Sequence, residues 1–333
     1  MPHIPGFHVI DCEENILVPF SEDVLDFGYA TLSYVWGLET TSPALSSGSP
    51  LPKTVPLVVS DAITVCKQLG LRYIWIDRYC ILQDTQEDAH AQIQSMNHIY
   101  KHSDLTIIAA AGSDPYYGLP GVSTRARLRP LRPPLHIGDQ TLIPLPFKSQ
   151  IDGSNSGYAE SKWNTRGWTY QEAVLSRRRL VFTDTQVFFQ CLNSRWQENL
   201  SLSLPTGPPS EQGPLAQLFP HGPVGLSNWD FGTHVTRYFG RELTYSSDAL
   251  NAFLGILREF QEGSAGLKNL VGVPIYRHKQ PIIGFLVGLC WDIRLPTASR
   301  HLLTEDGLDM NWSPFSWLKQ DGLFPSWSWL GWK

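Results

Sequence analysis

Apolar positions along this chain gather in three short runs, each closed by a glycine or an acid. They are Tyr29-Ala30-Thr31-Leu32-Ser33-Tyr34-Val35-Trp36 before Gly37, Tyr73-Ile74-Trp75-Ile76 before Asp77, and Leu105-Thr106-Ile107-Ile108-Ala109-Ala110-Ala111 before Gly112. Their near-continuous apolar character predicts strands covered on both faces, as in a parallel sheet. Between them the period changes to that of a helix. Ala62, Ile63, Cys66 and Leu69 share one face of a helix over 61–69, with Ser60 as its N-cap and Gly70 just beyond its end. Ala89, Ile93, Met96 and Tyr100 share one side of a second helix over 87–100. Strand, helix, strand, helix, strand is the signature of a parallel α/β sheet with right-handed crossovers. Open sheets of this kind bind ligands beyond the carboxyl ends of their strands. Three features fall there: residues 33–37, Asp77 with Asp84, and the loop from Gly112 onward.

Around this unit the pattern is less regular. Residues 7–11 and 16–20 predict an opening hairpin. Residues 38–54 are a loop rich in Ser, Thr, Pro and Gly. Residues 113–160 form an irregular insertion, with a basic cluster at Arg125, Arg127, Arg129 and Arg132 and a two-residue hairpin turn at Gly138-Asp139. The stretch Arg166-Gly167-Trp168-Thr169-Tyr170-Gln171-Glu172 leads into a short amphipathic segment, with Trp168, Leu175 and Leu180 facing inward. It puts Glu172 in a helix's first turn, where free N–H groups favour a carboxylate. Val181-Phe182 and Val187-Phe188-Phe189 predict two strands around a turn at Thr183-Asp184. Farther on, Ser247 is placed to N-cap a helix over 248–258. Near the end, Trp alternates with small residues, a period of two that predicts a strand with Trp327 and Trp329 on one face. The expected organisation is a domain over 1–200 that includes the insertion, a Pro/Gly-rich linker or loop over 201–227, and a helical, Trp-rich extension over 228–333 packed on the first domain.

Composition narrows the function classes. Hydrophobic residues make up 42% and charged residues 17% of the 333, which fits a folded chain and argues against disorder. A net charge of −5 leaves no electrostatic footprint for nucleic acid. The five cysteines, Cys12, Cys66, Cys80, Cys191 and Cys290, are widely spaced and form no C-x-x-C, so neither a zinc site nor a disulfide framework is expected. That pattern fits a reducing, cytoplasmic setting. No signal peptide is expected, and the longest apolar run, residues 281–291, is too short to span a bilayer.

No G-x-G-x-x-G, G-x-x-x-x-G-K-[ST], H-E-x-x-H or G-x-S-x-G occurs, so dinucleotide oxidoreduction, P-loop phosphoryl transfer, zinc proteolysis and nucleophile-elbow hydrolysis lack their signatures. Cys80 lacks a visible histidine partner and fits a core thiol better than a nucleophile. What remains is a set of carboxylates, hydroxyls and aromatics. Such a set suffices to cleave an N-glycosidic bond with a good leaving group: a carboxylate stabilises the oxocarbenium-like transition state or holds ribose hydroxyls, and aromatics stack the base. Glu172 also has a plain structural reading, as a helix-start charge or a buried partner of Arg166.

Three blocks carry a resemblance. Residues 29–37, the run Ile74-Trp75-Ile76-Asp77-Arg78-Tyr79-Cys80-Ile81-Leu82-Gln83-Asp84, and Arg166 through Glu172 resemble, in order and spacing, the signature blocks of the fungal heterokaryon-incompatibility (HET) domain. Residues 96–100 fit the same pattern, and the likeness covers roughly residues 20–195. The chain departs from it at Arg78 and Tyr79, where small or apolar residues are common, and at Leu82, where Asn is common. The family implies programmed cell death after non-self recognition. It also implies a remote similarity to TIR domains, hence a flavodoxin-like α/β fold, and some TIR domains hydrolyse NAD⁺ with one glutamate that follows a Trp. Trp168 and Glu172 match that placement. On this resemblance Glu172 is the catalytic candidate, and Ser33, Tyr34, Trp36, Gly37, Asp77, Asp84, Arg166 and Trp168 are candidates for holding the substrate. The expected substrate is NAD⁺ or a related nucleotide, with no resident cofactor or metal. Self-association and a partner sensor protein are the expected interactions. The alternative is a non-enzymatic death-signalling module in which the same residues are structural.

Overall fold

In the computed structural model, Tyr29, Ala30, Thr31, Leu32 and Ser33 are all buried and form the strand on which the first half of the chain is built. Covering on both faces is what their apolar run demands. The structure describes residues 1–37, 45–82, 86–128, 135–142, 158, 161–192, 194–198, 204–205, 219, 223–226, 230–276, 282, 286, 288–289, 324 and 328–332. The expectations for Asp84, Arg129, Arg132, Trp327 and most of the 281–291 run lie outside these residues. The chain divides into two compact units, Met1–Pro223 and Val224–Lys333.

The first unit runs β1 (His8–Asp11), β2 (Ile16–Pro19), α1 (Glu22–Phe27), β3 (Tyr29–Ser33), α2 (Leu57–Gln68), β4 (Tyr73–Trp75), α3 (Asp77–Cys80), α4 (Gln86–Gln94), α5 (Met96–His102) and β5 (Leu105–Ala109). A small hairpin of β6 (Leu135–Ile137) and β7 (Gln140–Leu142) follows, with Ile137 paired to Gln140 across the two-residue turn. Then come α6 (Lys162–Thr165), α7 (Gly167–Leu175), β8 (Arg178–Phe182), β9 (Val187–Cys191), β10 (Ser194–Gln197) and β11 (Leu204–Pro205). Among the described residues nine strands form one sheet in the order β11-β10-β9-β8-β5-β3-β4-β1-β2.

The middle of that sheet is parallel. β3 pairs in parallel with β4 and β5, and β5 pairs in parallel with β8. Taken in chain order, these four strands lie 2-1-3-4, the order of flavodoxin-like sheets. Antiparallel hairpins extend both sides: β1 and β2 beyond β4, and β9 to β11 beyond β8. α5 and α7 pack against each other, and α7 also lies against β3. The right-handed crossover rule puts α2, which packs on β3 and β4, on the opposite face. The outer side of β2 is covered by the chain itself: the Leu17 amide donates to the Ser49 carbonyl (2.9 Å), the Gly48 amide donates to the Leu17 carbonyl (2.7 Å), and Ile16 bridges Pro50.

Local structure departs from expectation in instructive places. α2 begins at Leu57 behind Pro56, and Ser60 lies inside it, its hydroxyl donating back to the Leu57 carbonyl (3.0 Å). Its end is as expected. Gly70 takes φ +73°, the Gly70 amide donates to the Lys67 carbonyl (3.1 Å) and the Leu71 amide to the Cys66 carbonyl (2.9 Å), which is a Schellman cap. The helix expected over 87–100 is two helices, α4 and α5, broken at Ser95. Its Ile93 is exposed, whereas Met96 and Tyr100 are buried.

The second unit contains α8 (Asp230–Phe239), a 3₁₀ turn (Ser246–Ala249), α9 (Asn251–Glu262) and the hairpin of β12 (Lys268–Leu270) with β13 (Val273–Ile275). Ser247 sits within the 3₁₀ turn and does not cap α9. Trp329 lies in a 3₁₀ turn, Trp329–Trp332, not in a strand. Its ring packs edge-on against Tyr238 and Phe253, and its indole N–H donates to the Gly272 carbonyl (2.9 Å). A buried Trp needs such a partner.

Candidate functional site

The carboxyl end of β3 delivers Ser33, Tyr34 and Trp36 to the switch point between β3 and β5, where the crossovers leave in opposite directions. Ser33 is 0% exposed and Glu172 5%. The two residues are far apart in sequence, yet the Ser33 hydroxyl donates to Glu172 Oε2 at 2.5 Å. The Trp163 indole N–H in turn donates to Ser33 Oγ at 2.8 Å. Trp163 comes from α6, which Ser161 caps by accepting the Asn164 amide (3.1 Å). The Thr169 hydroxyl ties α6 to α7 by donating to the carbonyls of Trp163 (2.7 Å) and Arg166 (2.9 Å).

Glu172 stands in the second turn of α7, not the first, because the helix already begins at Gly167. The helix N-terminus therefore does not account for this carboxylate. Beneath it runs a line of hydroxyls. Thr31 Oγ1 and Thr106 Oγ1 are 2.7 Å apart, Thr106 Oγ1 and Ser176 Oγ 2.5 Å, and the Ser176 hydroxyl donates to the Glu172 carbonyl at 2.6 Å. These bonds pin the helix to the sheet at the turn that carries Glu172.

Asp77 opens α3 beyond β4. The Trp36 indole N–H donates to both of its oxygens (3.2 and 3.0 Å), and the Arg78 amide donates to Oδ1 (2.7 Å). The Arg78 guanidinium lies 5.9 Å from the Trp36 ring centroid. Arg166, just before α7, donates to the Tyr34 carbonyl at 2.8 Å. Tyr34 is itself buried, and its hydroxyl has no hydrogen-bond partner among the described residues. Gly37 follows at φ +76°, and a Cβ there would stand 2.9 Å from Pro115 Cδ. Its contribution is thus the close approach of backbone to the loop after β5. That loop is strapped down by Asp61, whose carboxylate accepts from the Leu119 amide (2.7 Å) and the Ser123 hydroxyl (2.6 Å).

Burial sets the electrostatics. It pushes the Glu172 carboxyl up to about 7, with the nearby Asp77 charge adding to the rise and the Ser33 hydroxyl, Arg166 and Tyr100 opposing it. Burial likewise raises Asp77 to about 6, opposed first by the Arg78 amide and then by Arg166 and Trp36. Two buried carboxylates raised toward neutral pH, one on α7 and one beyond β4, mark a candidate functional site.

Of the sequence candidates, Ser33 and Glu172 touch, as do Trp36 and Asp77, and Arg166 and Tyr34. Trp168 lies one turn before Glu172 on α7 and is half-exposed, not inward-facing; Leu180 is half-buried as well. Two site residues escaped sequence reasoning. Tyr100 looks like an ordinary apolar position of a helix face. Trp163 lies before the Arg166 block with no local pattern to mark it. Among the described residues no cluster of His, Cys, Asp or Glu could hold a metal ion, and no helix is long and apolar enough to cross a membrane.

No curated protein and no solved structure matches the chain. A family model described as Heterokaryon incompatibility protein (HET) matches residues 29–172, a span that starts at the first residue of β3 and ends on Glu172. Residues 29–172 therefore match the heterokaryon incompatibility (HET) family, and Ser33, Trp163 and Glu172 all fall within the match.

Proposed function

We propose that this chain is a cell-death effector of heterokaryon incompatibility that hydrolyses NAD⁺ at the nicotinamide–ribose bond. The HET domain supports the incompatibility role. The hydrolytic reading rests on one observation above others: a buried carboxylate, Glu172, held by Ser33 at the switch point of a parallel sheet. In the proposed reaction the bond between ribose C1′ and the nicotinamide nitrogen breaks, and its electron pair leaves with nicotinamide. The Glu172 carboxylate stabilises the ribosyl cation. Water then adds at C1′ and releases a proton, giving ADP-ribose. Trp36 and Trp168 supply flat surfaces, and Arg166 carries the cation for a phosphate or for orienting Glu172. Tyr34, Gly37, Asp77 and Asp84 complete the proposed lining. The chain acts in the cytoplasm in this reading, with self-association or a partner sensor bringing the site to its active form.

The test is NAD⁺ turnover by wild type and Glu172→Gln, each at low and high protein concentration. Turnover by wild type alone, rising as pH passes about 7, is the expected result, since the reaction needs Glu172 ionised. Intact NAD⁺ at every concentration would sink the hydrolase. One observation favours the rival, a signalling module without catalysis: Ser33 and Glu172 are so fully enclosed that their bond serves equally well as a structural link between β3 and α7. Cell toxicity that survives Glu172→Gln in a folded protein would establish that rival.

A further inference from the structure

An indole N–H donates and never accepts, while a serine hydroxyl has one proton to give. Trp163 Nε1 lies 2.8 Å from Ser33 Oγ, and Ser33 Oγ lies 2.5 Å from Glu172 Oε2. With the indole proton occupying one lone pair of Ser33, the only direction left for the Ser33 proton along this line is toward Glu172. We propose that Trp163 is the positioning residue of this site: it fixes Ser33 as a one-way donor and so holds Glu172 as a carboxylate in a single orientation. This inference rests on the reading of Glu172 as the working carboxylate.

The polarity has a chemical consequence. With Trp163 donating to its oxygen, Ser33 spends its one proton on Glu172. Its part is to stabilise negative charge on Oε2. Trp163 is well suited to this fixed duty. Its ring is fully buried, packed against Tyr158 and Phe219 and held by the cap of α6. A chain of bonds pointing one way strengthens its last member.

The groups facing Glu172 are Ser33 from β3, Tyr100 from α5, Asp77 from α3 and Arg166 from the start of its own helix. Asp77 titrates in an adjacent range, so the test must report on Glu172 itself. The experiment is a pH titration of the full chain by NMR. It follows the Trp163 indole resonance and the carboxyl carbons of labelled glutamate. In wild type the indole resonance is expected to move with a midpoint near 7, in step with Glu172, and to lose that step in Glu172→Gln. Ser33→Ala is expected to raise the Glu172 midpoint by about one pH unit. Trp163→Phe raises it by a smaller step, about half a pH unit, because the freed hydroxyl still donates to Glu172 but no longer always points there.

An indole resonance that stays still while Glu172 titrates would overturn the proposal. So would a Glu172 midpoint that neither variant moves. If Trp163→Phe does not fold, the wild-type indole titration and Ser33→Ala decide the matter alone. The readout needs no turnover: a relay present in a chain that leaves NAD⁺ intact removes the hydrolase only, and turnover without the relay removes this inference only.

Discussion

Glu172→Gln should make the first unit more stable above neutral pH while it disables the proposed chemistry. Burial lifts the Glu172 carboxyl from its ordinary 4.5 to about 7. A group whose pKa is raised by folding binds its proton more tightly in the folded state. Its contribution is intact below 4.5, is lost progressively as pH climbs toward 7, and above 7 the whole cost of a buried charge is present. At 1.36 kcal/mol per pH unit that cost is roughly 3 kcal/mol. Glutamine carries no charge and escapes it. Against this, glutamine fits the place of the neutral carboxyl less well, a loss of up to about 1 kcal/mol at either pH. The expected net is a gain of about 2 kcal/mol at pH 8 and a loss of up to about 1 kcal/mol at pH 4. Urea unfolding at the two pH values, followed by tryptophan fluorescence, measures it. With a slope of about 2 kcal/mol per molar, the pH 8 midpoint rises by roughly 1 M. Because the chain has two units, the transition that moves belongs to Met1–Pro223. A variant no more stable than wild type at pH 8, or a difference that does not change with pH, would mean that Glu172 carries no buried-charge cost.

Two structural predictions test the frame around the site. Asp61→Asn keeps one acceptor oxygen where the Leu119 amide and the Ser123 hydroxyl use two, and should cost about 1–2 kcal/mol, with faster hydrogen exchange at Leu119 when the amide group faces it. Arg179 is 1% exposed and donates from Nε to the Ala173 carbonyl and from Nη2 to the Val174 carbonyl (3.0 Å), capping α7 from β8. Arg179→Met keeps most of the volume but strands those carbonyls, so a loss of about 2–4 kcal/mol in denaturant unfolding is expected.

The parallel core was legible because its strands are covered on both faces and so show as continuous apolar runs; β3, β4 and β5 lie where those runs lie. Helix boundaries were less legible. Ser60 and Ser247 carry the side chain of a cap, but the backbone turns helical before Ser60, and Ser247 falls within the 3₁₀ turn that precedes α9. The 87–100 pattern continues unbroken past Ser95, where the structure has two helices. Ser33 and Glu172 were each marked as site residues by their own blocks. Their contact was not visible, since it is made across the crossover that follows β5. Trp163 and Tyr100 were hidden for the same reason: an aromatic on a helix face looks like core whether its polar atom meets Ser33, as in Trp163, or Glu172, as in Tyr100.

The strip of chain over 48–51 laid along β2 bears on how copies of this domain associate. An open strand edge is a template on which a second chain adds and a third follows, the route to runaway polymer. Here the Leu17 amide and carbonyl are already taken by Ser49 and Gly48, and Ile16 already bridges Pro50. Growth from that side by adding strands would first require peeling this strip away. For a chain whose proposed activity ends the cell that contains it, a blocked edge means that accidental stacking at β2 is not a trigger. Assembly, where it occurs, does not start from β2 without that step.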